Sequence, residues 1–318
     1  MTRKEQDESF RDVLDAIFAI SSKARKDEDS FCCSCTENAA LIGVFDGSGG
    51  LGSTKYKHYE GHTGAYIASR LASGAVYDWF QVLMLRDASE GEPAEVEERL
   101  AKALSLGQKT SGEKPKLKGS MVREFPTTAA FVVAEQIESR IYIESMWAGD
   151  SRVYFLDHRG LSPLSVDDTD SRDAFESLRN DPAQKNVLSS DGKFTLHRKK
   201  ALIKGPMAVI TATDGYYGYW NTPMELEFFL LNTLNEANSL NEWKNNLRTQ
   251  IREISRDDST MAVMLFYFGT FKELKKNYEA RHEYIKEHYI MPLSDHYTEE
   301  RAKELWQEYR QDYERYMN

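Results

Sequence analysis

Four short acidic segments, far apart in the chain, carry side chains able to bind divalent cations. They are Asp27-Glu28-Asp29, Asp46-Gly47, Asp214-Gly215 and Asp257-Asp258. The last three adjoin apolar runs typical of β-strands, and carboxylates at strand ends can converge on one edge of a sheet. Each of these acidic segments, taken singly, is typical of a solvated turn or a helix cap. The four together favour one shared site.

The ligand chemistry of these segments is all oxygen. Such a set suits hard cations such as Mg²⁺ and Mn²⁺, which keep several of their waters. Two such ions bridged by one carboxylate would hold a hydroxide between them at neutral pH, and they would neutralise the charge that develops on a transferred phosphoryl group. The segments therefore indicate a two-metal site for phosphoryl chemistry.

The elements that must position these residues are visible as apolar runs. Several runs are nearly continuous, which is typical of strands covered on both faces. The predicted strands are Ala39–Phe45, Thr127–Ala134, Arg140–Trp147, Arg152–Asp157, Met207–Ala212 and Thr260–Phe268. Helical spacing of apolar residues predicts helices at Gly64–Leu85, Glu95–Leu106 and Pro223–Leu234. Strand clusters separated by helices favour an α+β domain with antiparallel sheets.

The chain changes character after Phe268. Apolar residues recur there at helical spacing in two runs, which predict two amphipathic helices rich in tyrosine and charge, with Pro292 between them. We expect a main domain over residues 1–268 and a helical extension over 269–318. The favoured interpretation is a tail packed on the main domain, because apolar stripes usually face a core. The alternative is an arm for self-association or docking.

Composition excludes some classes of protein. The net charge is −10, from 51 acidic and 41 basic residues, which argues against a nucleic-acid partner. The three cysteines are clustered at Cys32, Cys33 and Cys35, which cannot form a disulfide framework and favours a reducing, cytoplasmic location. A zinc site would need further ligands at the right spacing. No apolar run is long enough to predict a membrane span, and the amino terminus has no signal-peptide pattern.

Two further loops need interpretation. Gly47 to Gly52 formally matches a Gly-x-Gly-x-x-Gly pattern, but Ser53–Tyr59 is a poor crossover helix and regular βαβ alternation is missing, which argues against a dinucleotide site. Gly52 is followed by serine rather than lysine, so the loop is no P-loop. The mostly polar stretch Gln108–Glu124 is predicted to be a mobile surface loop.

Five motifs, in order along the chain, resemble those of the metal-dependent protein phosphatases of the phosphatase 2C type, which act on serine and threonine. One such motif would be weak, whereas the ordered set over about residues 20 to 268 is specific. The motifs are Asp46-Gly47-Ser48-Gly49-Gly50, Thr127-Thr128-Ala129, Ala148-Gly149-Asp150-Ser151-Arg152, Ala212-Thr213-Asp214-Gly215 and Arg256-Asp257-Asp258-Ser259-Thr260.

The resemblance implies a four-layer α/β/β/α sandwich, in which two central antiparallel sheets are flanked by helices. It also implies hydrolysis of phosphoserine and phosphothreonine on proteins by a hydroxide that bridges two Mn²⁺ or Mg²⁺ ions. The residues that match the family's metal contacts are Asp46 as the bridge, Glu28 and the Gly47 carbonyl at one ion, and Asp214 and Asp257 at the other. Asp29 matches a residue that orients metal-bound water.

Some positions depart from the family pattern. The family often has a phosphate-binding arginine where this chain has Ala24, so Arg25, or else Lys23, is the candidate. Position 48 is serine where many eukaryotic members have histidine, which favours a bacterial source. Asp150 resembles a ligand of a third metal, but its usual acidic partner is replaced by Gly218.

Two other functions stay open from the sequence. A pseudophosphatase scaffold would bind partners through the longer segment Leu51–His62 or through the helical tail, although degenerate members usually lose metal carboxylates and this chain retains them. A phosphatase of small phosphorylated molecules would use the same fold.

Overall fold

The computed structural model describes residues 9–23, 27–85, 95–112, 124–138, 140–171, 173–180 and 183–317. Its centre is a pair of five-stranded antiparallel sheets. With strands numbered in chain order, the first sheet runs β1 (Leu14–Ser22), β12 (Ser259–Phe266), β11 (Met207–Ala212), β8 (Arg152–Asp157) and β9 (Gly160–Pro163). The second sheet runs β10 (His197–Ile203), β7 (Arg140–Ala148), β6 (Ala129–Ile137), β3 (Ala39–Phe45) and β2 (Ser30–Cys35).

The remaining elements are helices and one small hairpin. The hairpin pairs β4 (Lys55–Tyr56) with β5 (His62–Thr63) across a 3₁₀ turn at Lys57–Tyr59. The helices are α1 (Phe10–Val13), α2 (Gly64–Leu85), α3 (Val96–Thr110), α4 (Ala174–Asn180), α5 (Asp214–Tyr217), α6 (Pro223–Glu236), α7 (Leu240–Ile254), α8 (Phe271–Ile285), α9 (Met291–Asp295) and α10 (Glu299–Tyr313), with a π-helical turn at Lys286–Ile290.

Three hydrophobic clusters show how the layers stack. Ile42 and Val132 of the second sheet meet Val209 and Met264 of the first in the cluster between the sheets. A second cluster joins the outer face of the second sheet to α2 and α3, and a third joins the outer face of the first sheet to the later helices. This order of layers is α/β/β/α, so the predicted four-layer sandwich is confirmed.

Burial explains which strands were visible in the sequence. Every residue of β3, β8, β11 and β12 is buried, as their continuous apolar runs predicted. β10 was missed because its sequence, His-Arg-Lys-Lys-Ala-Leu-Ile, is mainly basic and the strand lies at a sheet edge. α7 was also missed, although Ser239 caps it by accepting a hydrogen bond from the Glu242 N–H and its Trp243, Leu247 and Ile251 are buried on one face.

The helical tail packs against its own chain. Tyr278, Trp306 and Tyr309 are buried in the same hydrophobic cluster as Tyr154 and Leu161 of the first sheet. The tail therefore presents its apolar stripes inward. Self-association through these helices, and a domain boundary at residue 268, stay predictions.

The break between the tail helices differs from the expectation. Pro292 lies in the first turn of α9, directly after the π-helical turn, where a missing N–H is tolerated. The chain leaves the helix only after Asp295, and Thr298 caps α10. The predicted loop Gln108–Glu124 begins inside α3, and its residues 113–123 lie outside the described ranges. No helix within those ranges is long and apolar enough to cross a membrane.

Candidate active site

The strand ends bring the predicted carboxylates together. Asp46 follows β3, Asp214 follows β11, Asp257 precedes β12, and Asp150 lies between β7 and β8. Burial raises the pKa of Asp46 well above its usual value, and the charges of Asp29, Asp150 and Asp257 raise it further. These five residues, Asp29, Asp46, Asp150, Asp214 and Asp257, are called the carboxylate cluster below.

Two members of the carboxylate cluster are in direct contact. Asp46 and Asp214 share a side-chain hydrogen bond. Two carboxyl groups can share such a bond only when one of them carries a proton. Burial, followed by the charges of the other carboxylates, raises the pKa of Asp214 well above its usual value. The contact of Asp46 with Asp214 therefore favours protonation of this pair in the absence of a positive charge.

The glycines of both Asp-Gly pairs are required by close backbone packing. A Cβ on Gly47 would lie 2.6 Å from the Ala65 carbonyl oxygen and 2.8 Å from the Glu28 carbonyl oxygen. A Cβ on Gly215 would lie 1.9 Å from the Asp258 carbonyl oxygen. Each glycine thus lets a strand-end aspartate approach a second acidic segment, which is why the pairing of aspartate with glycine signals the site.

The Glu28 segment is tied to the other elements by its backbone and its side chain. The Glu28 N–H donates to Asp258 Oδ2 at 2.8 Å, and Ser69 Oγ of α2 donates to the Glu28 carbonyl at 2.5 Å. The Glu28 carboxylate accepts a 2.5 Å hydrogen bond from Thr63 Oγ1, at the end of the hairpin. The segment Leu51–His62 therefore leads into a direct contact with a predicted metal ligand.

Asp29 lies on the opposite side of that segment, facing the first sheet. Its Oδ2 accepts a 2.9 Å hydrogen bond from Thr213 Oγ1, and Thr260 is a second partner. Burial raises the pKa of Asp29 to about 8, and the charges of Asp214 and Asp258 add to the effect. These hydrogen bonds hold Asp29 next to the other members of the carboxylate cluster.

Asp150 has one satisfied oxygen and one that lacks a partner. Gln184 Nε2 donates to Asp150 Oδ2 at 2.8 Å, whereas the buried Oδ1 has no hydrogen-bond partner in the described structure. Burial raises the pKa of Asp150 to about 6. Gly218, at the position of the missing acidic partner, lines the same cleft and offers no carboxylate for a third ion.

A cleft of about 300 Å³ opens onto the carboxylate cluster. Arg152 lines it but is fully engaged, because its Nε and Nη2 donate to Asp167 at 2.6 to 3.1 Å and its guanidinium lies 3.7 Å from the centre of the Tyr217 ring. The Tyr217 hydroxyl donates to the Asp150 carbonyl at 2.7 Å. Hydrogen bonds therefore fix this side of the cleft, which is lined by Asp150, Asp167, Asp214 and Asp257.

The phosphate-binding candidates are only partly placed. Arg25 lies outside the described residues. Lys23 is described, and its ammonium pairs with Asp27 at 2.7 Å. Arg70 of α2 approaches the same Asp27 at 3.3 Å and lies over the ring of Tyr66. The role of Arg25 at the substrate phosphate stays a prediction.

Whether divalent cations fit this site depends on the ligand atoms and the charges that its residues supply. No group of three or more histidine, cysteine, aspartate or glutamate side chains in the described ranges has the geometry of a preformed metal cluster. Nevertheless the donors are all oxygen, their charges are uncompensated, and one buried oxygen of Asp150 lacks a partner. Buried carboxylates without a counter-charge are strongly unfavourable. Divalent cations would supply the missing positive charge, so the residues fit the group.

Several supporting residues were missed from the sequence. Thr213 stands inside a recognised motif, so its position next to Asp214 was a usable signal. Thr63 and Gln184 belong to loops without regular pattern, and nothing in the sequence places them beside Glu28 and Asp150. Their roles follow from tertiary packing alone.

Comparison with known proteins supports the fold. No protein-family model matches the sequence, and no curated protein matches it. Among solved structures, the serine/threonine phosphatase PstP/Ppp of Mycobacterium tuberculosis is 17% identical with a TM-score of 0.54, over 80% of this chain and 99% of that one. The serine/threonine phosphatase Stp1 of Staphylococcus aureus is 14% identical with a TM-score of 0.56, over 84% and 99%.

A further match is to a structure that contains metal. The catalytic domain of the serine/threonine protein phosphatase PstP in complex with two manganese ions is 15% identical with a TM-score of 0.51, over 80% of this chain and 99% of that one. Identities this low show the fold rather than the activity. The chain has the α/β/β/α fold of the phosphatase 2C type serine/threonine phosphatases.

Proposed function

We propose that this protein is a metal-dependent phosphatase that hydrolyses phosphoserine and phosphothreonine on proteins. The observation that carries the proposal is the convergence of Asp46, Asp150, Asp214 and Asp257 from four separate parts of the chain: Asp150, Asp214 and Asp257 line one cleft, Asp46 contacts Asp214, and the cationic Arg152 of that cleft is already paired with Asp167. Perturbed titratable groups that share a cleft are typical of functional sites.

The residues divide into two sets of ligands. Asp46 would be shared by both ions, with Glu28 and the Gly47 carbonyl at one and Asp214 and Asp257 at the other. Two Mn²⁺ or Mg²⁺ ions bound there would activate water and neutralise the charge on the phosphoryl group. The close packing of Gly47 on Glu28 supports the first set, and the shared hydrogen bond of Asp46 and Asp214 supports the bridging role.

The protein's own part in the reaction is positioning. Asp29, held by Thr213, would orient the attacking water in line with the bond that breaks. The water oxygen bonds to phosphorus and gives up one proton, the bond from phosphorus to the serine or threonine oxygen breaks, and the leaving oxygen gains one proton, so that the products are the free hydroxyl and inorganic phosphate. Buried, fixed carboxylates hold this geometry without reorganisation during the reaction.

The scaffold alternative has no support in the site. A scaffold would tolerate loss of the metal carboxylates, whereas all of the predicted ones are retained in the sequence, and the charges of Asp150 and Asp257 raise the pKa of both Asp46 and Asp214. Within the segment Leu51–His62, Tyr56 is buried against Phe125, whereas most of the other residues are exposed.

The experiment that tests the proposal is hydrolysis of p-nitrophenyl phosphate and of a phosphothreonine peptide by chelator-treated protein. We expect no turnover with chelator and restored turnover with Mn²⁺ or Mg²⁺. A set of phosphorylated metabolites run in parallel tests the substrate class. Failure of Mn²⁺ to restore hydrolysis of any of these substrates would refute the proposal.

A further inference from the structure

The short helix α4 forms one wall of the cleft. Its Ser177 and Leu178 line the same cleft as Asp214 and Asp257. Helices shorter than about 12 residues are marginal on their own in water, and α4 has 7 residues. The position of this wall must therefore be set by tertiary contacts.

The far side of α4 rests on the C-terminal helix α10. The buried ring of Phe175 stacks on Trp306 with 6.5 Å between ring centres. Asp173 has two roles, because its Oδ1 accepts the N–H groups of Phe175 and Glu176 at the start of α4. Its Oδ2 accepts hydrogen bonds from Arg310 Nη1 at 2.8 Å and from Trp306 Nε1 at 3.3 Å. One carboxylate thus begins α4 and joins it to α10.

Two outer ion pairs join the same helices more weakly. Arg179 pairs with Glu299 at 2.8 Å, and Lys303 pairs with Glu176 at 3.5 Å. Glu299 and Lys303 are well exposed, and exposed pairs contribute little to stability. The junction therefore depends on the Asp173 contacts and on the ring stack.

Helix α10 also reaches the base of the cleft. Tyr313 hydrogen-bonds Tyr154, whose hydroxyl accepts from Arg152 Nη1 at 3.1 Å. Arg152 holds Asp167, which lines the cleft next to Asp150. The same helix is thus connected to the cleft at two places, its wall and its floor.

We propose that α10 positions the α4 wall, and that Asp173, through Arg310 and Trp306, sets how tightly an extended phosphopeptide fits the cleft. This inference rests on the proposed phosphatase function. A small aryl phosphate needs only the carboxylate cluster, whereas the residues that flank a phosphothreonine must pass along the wall. Asp173 is a positioning residue that acts through α4, so its loss weakens peptide binding and leaves turnover of the small substrate intact.

The test compares two variants with a matched control. Arg310→Gln removes the positive charge on α10 that contacts Asp173. Asp173→Ser keeps a good helix cap for α4 but loses the carboxylate that contacts Arg310. Arg301→Gln on the same helix is the control, since Arg301 pairs only within α10 among the contacts that the structure gives it. We expect KM for a phosphothreonine peptide to rise about 3- to 10-fold in both test variants, with kcat for p-nitrophenyl phosphate within about twofold of the parent.

A double variant and hydrogen exchange complete the design. If both residues act through one contact, the combined variant has nearly the KM of either single one. Amide exchange in residues 173–180 should be faster in Arg310→Gln than in the parent and the control, with no change in β3 or β11. Unchanged peptide KM, equal losses on both substrates, or unchanged exchange in residues 173–180 would each overturn the inference. A parent inactive on every substrate would refute the proposed function instead, and hydrogen exchange would still decide whether α10 positions the wall.

Discussion

Two buried acidic regions of this molecule are built in opposite ways. In the carboxylate cluster, aspartates raise one another's pKa, and Asp46 and Asp214 lie in side-chain contact. Under the tail helices, Glu227 is also fully buried, but its carboxylate accepts from Arg281 Nε at 2.6 Å, from the Tyr309 hydroxyl at 2.5 Å and from the Leu161 N–H at 2.9 Å.

The difference distinguishes a candidate cation-binding site from an ion pair that stabilises the fold. Glu227 has a cationic partner and donors for both oxygens, so its charge is satisfied within the fold. The carboxylate cluster has no such partner among the described residues, and it lies on a cleft rather than in a core. The chain keeps an unsatisfied cluster at the strand ends because, on our proposal, the missing charges come from bound cations.

The largest effect that the comparison predicts is on activity. Asp214→Asn removes a proposed ligand charge and almost no volume, so turnover of p-nitrophenyl phosphate with Mn²⁺ should fall by about 10³-fold or more, equivalent to roughly 4 kcal/mol of transition-state stabilisation. Asp78→Asn, on the exposed side of α2, is the matched control and should keep the parent rate. An Asp214→Asn variant with the parent rate would remove this residue from the site.

The second prediction concerns stability on the other side of the comparison. Glu227→Gln removes the buried partner of Arg281 and leaves it only the half-exposed Asp312 at 3.4 Å, so the free energy of unfolding should fall by about 3 kcal/mol, measured in urea. Glu236→Gln, which changes an exposed glutamate at the end of the same helix, should change it by less than about 0.5 kcal/mol. Equal changes in the free energy of unfolding for the two variants would mean that the buried pair of Glu227 and Arg281 does not stabilise the fold.

The third prediction concerns how the stability of the metal-free protein depends on pH. Burial raises the pKa of Asp29 to about 8 and that of Asp150 to about 6, above the usual 3.8. The folded chain then binds protons that the unfolded chain releases, so stability is greatest at low pH within this window and falls as the pH rises from about 4 to about 8. Tm of chelator-treated protein should therefore decrease between pH 5 and pH 8.

A variant and a metal titration sharpen that result. Asp29→Asn removes one of these titrations and should make the decrease smaller. Mn²⁺ should raise Tm more at pH 8 than at pH 5, because the ligands must lose protons to bind it. A Tm that rises from pH 5 to pH 8 without metal would contradict the raised pKa values.

Much of the fold was predictable because its strands are buried on both faces. The runs Ala39–Phe45, Arg152–Asp157 and Met207–Ala212 were predicted with the bounds that the structure gives them. Polar edge strand β10 was not predictable, since an edge strand does not need an apolar pattern. The amphipathic spacing of the tail predicted helices, but the π-helical turn before Pro292 gave no sequence signal.

The residues of the candidate site likewise include some that could be predicted from the sequence and some that could not. Asp46-Gly47 and Asp214-Gly215 were informative because close backbone contact requires glycine after each aspartate. Gln184 and Asp173 could not be found, since their partners are set by where loops and α10 pack. A metal role for Glu28 and Asp257 stays a prediction, as does phosphate binding by Arg25.

The most direct test of the account is calorimetric titration of chelator-treated protein with Mn²⁺ at pH 7, in two buffers of different ionisation enthalpy. We predict that two ions bind and that protons are released on binding, because burial and neighbouring carboxylates raise the pKa of Asp46 and of Asp214 well above the usual value. Asp214→Asn should lose at least one of the two binding events. Absence of Mn²⁺ binding, or binding without proton release and unchanged in Asp214→Asn, would contradict the claim that the carboxylate cluster is a cation site.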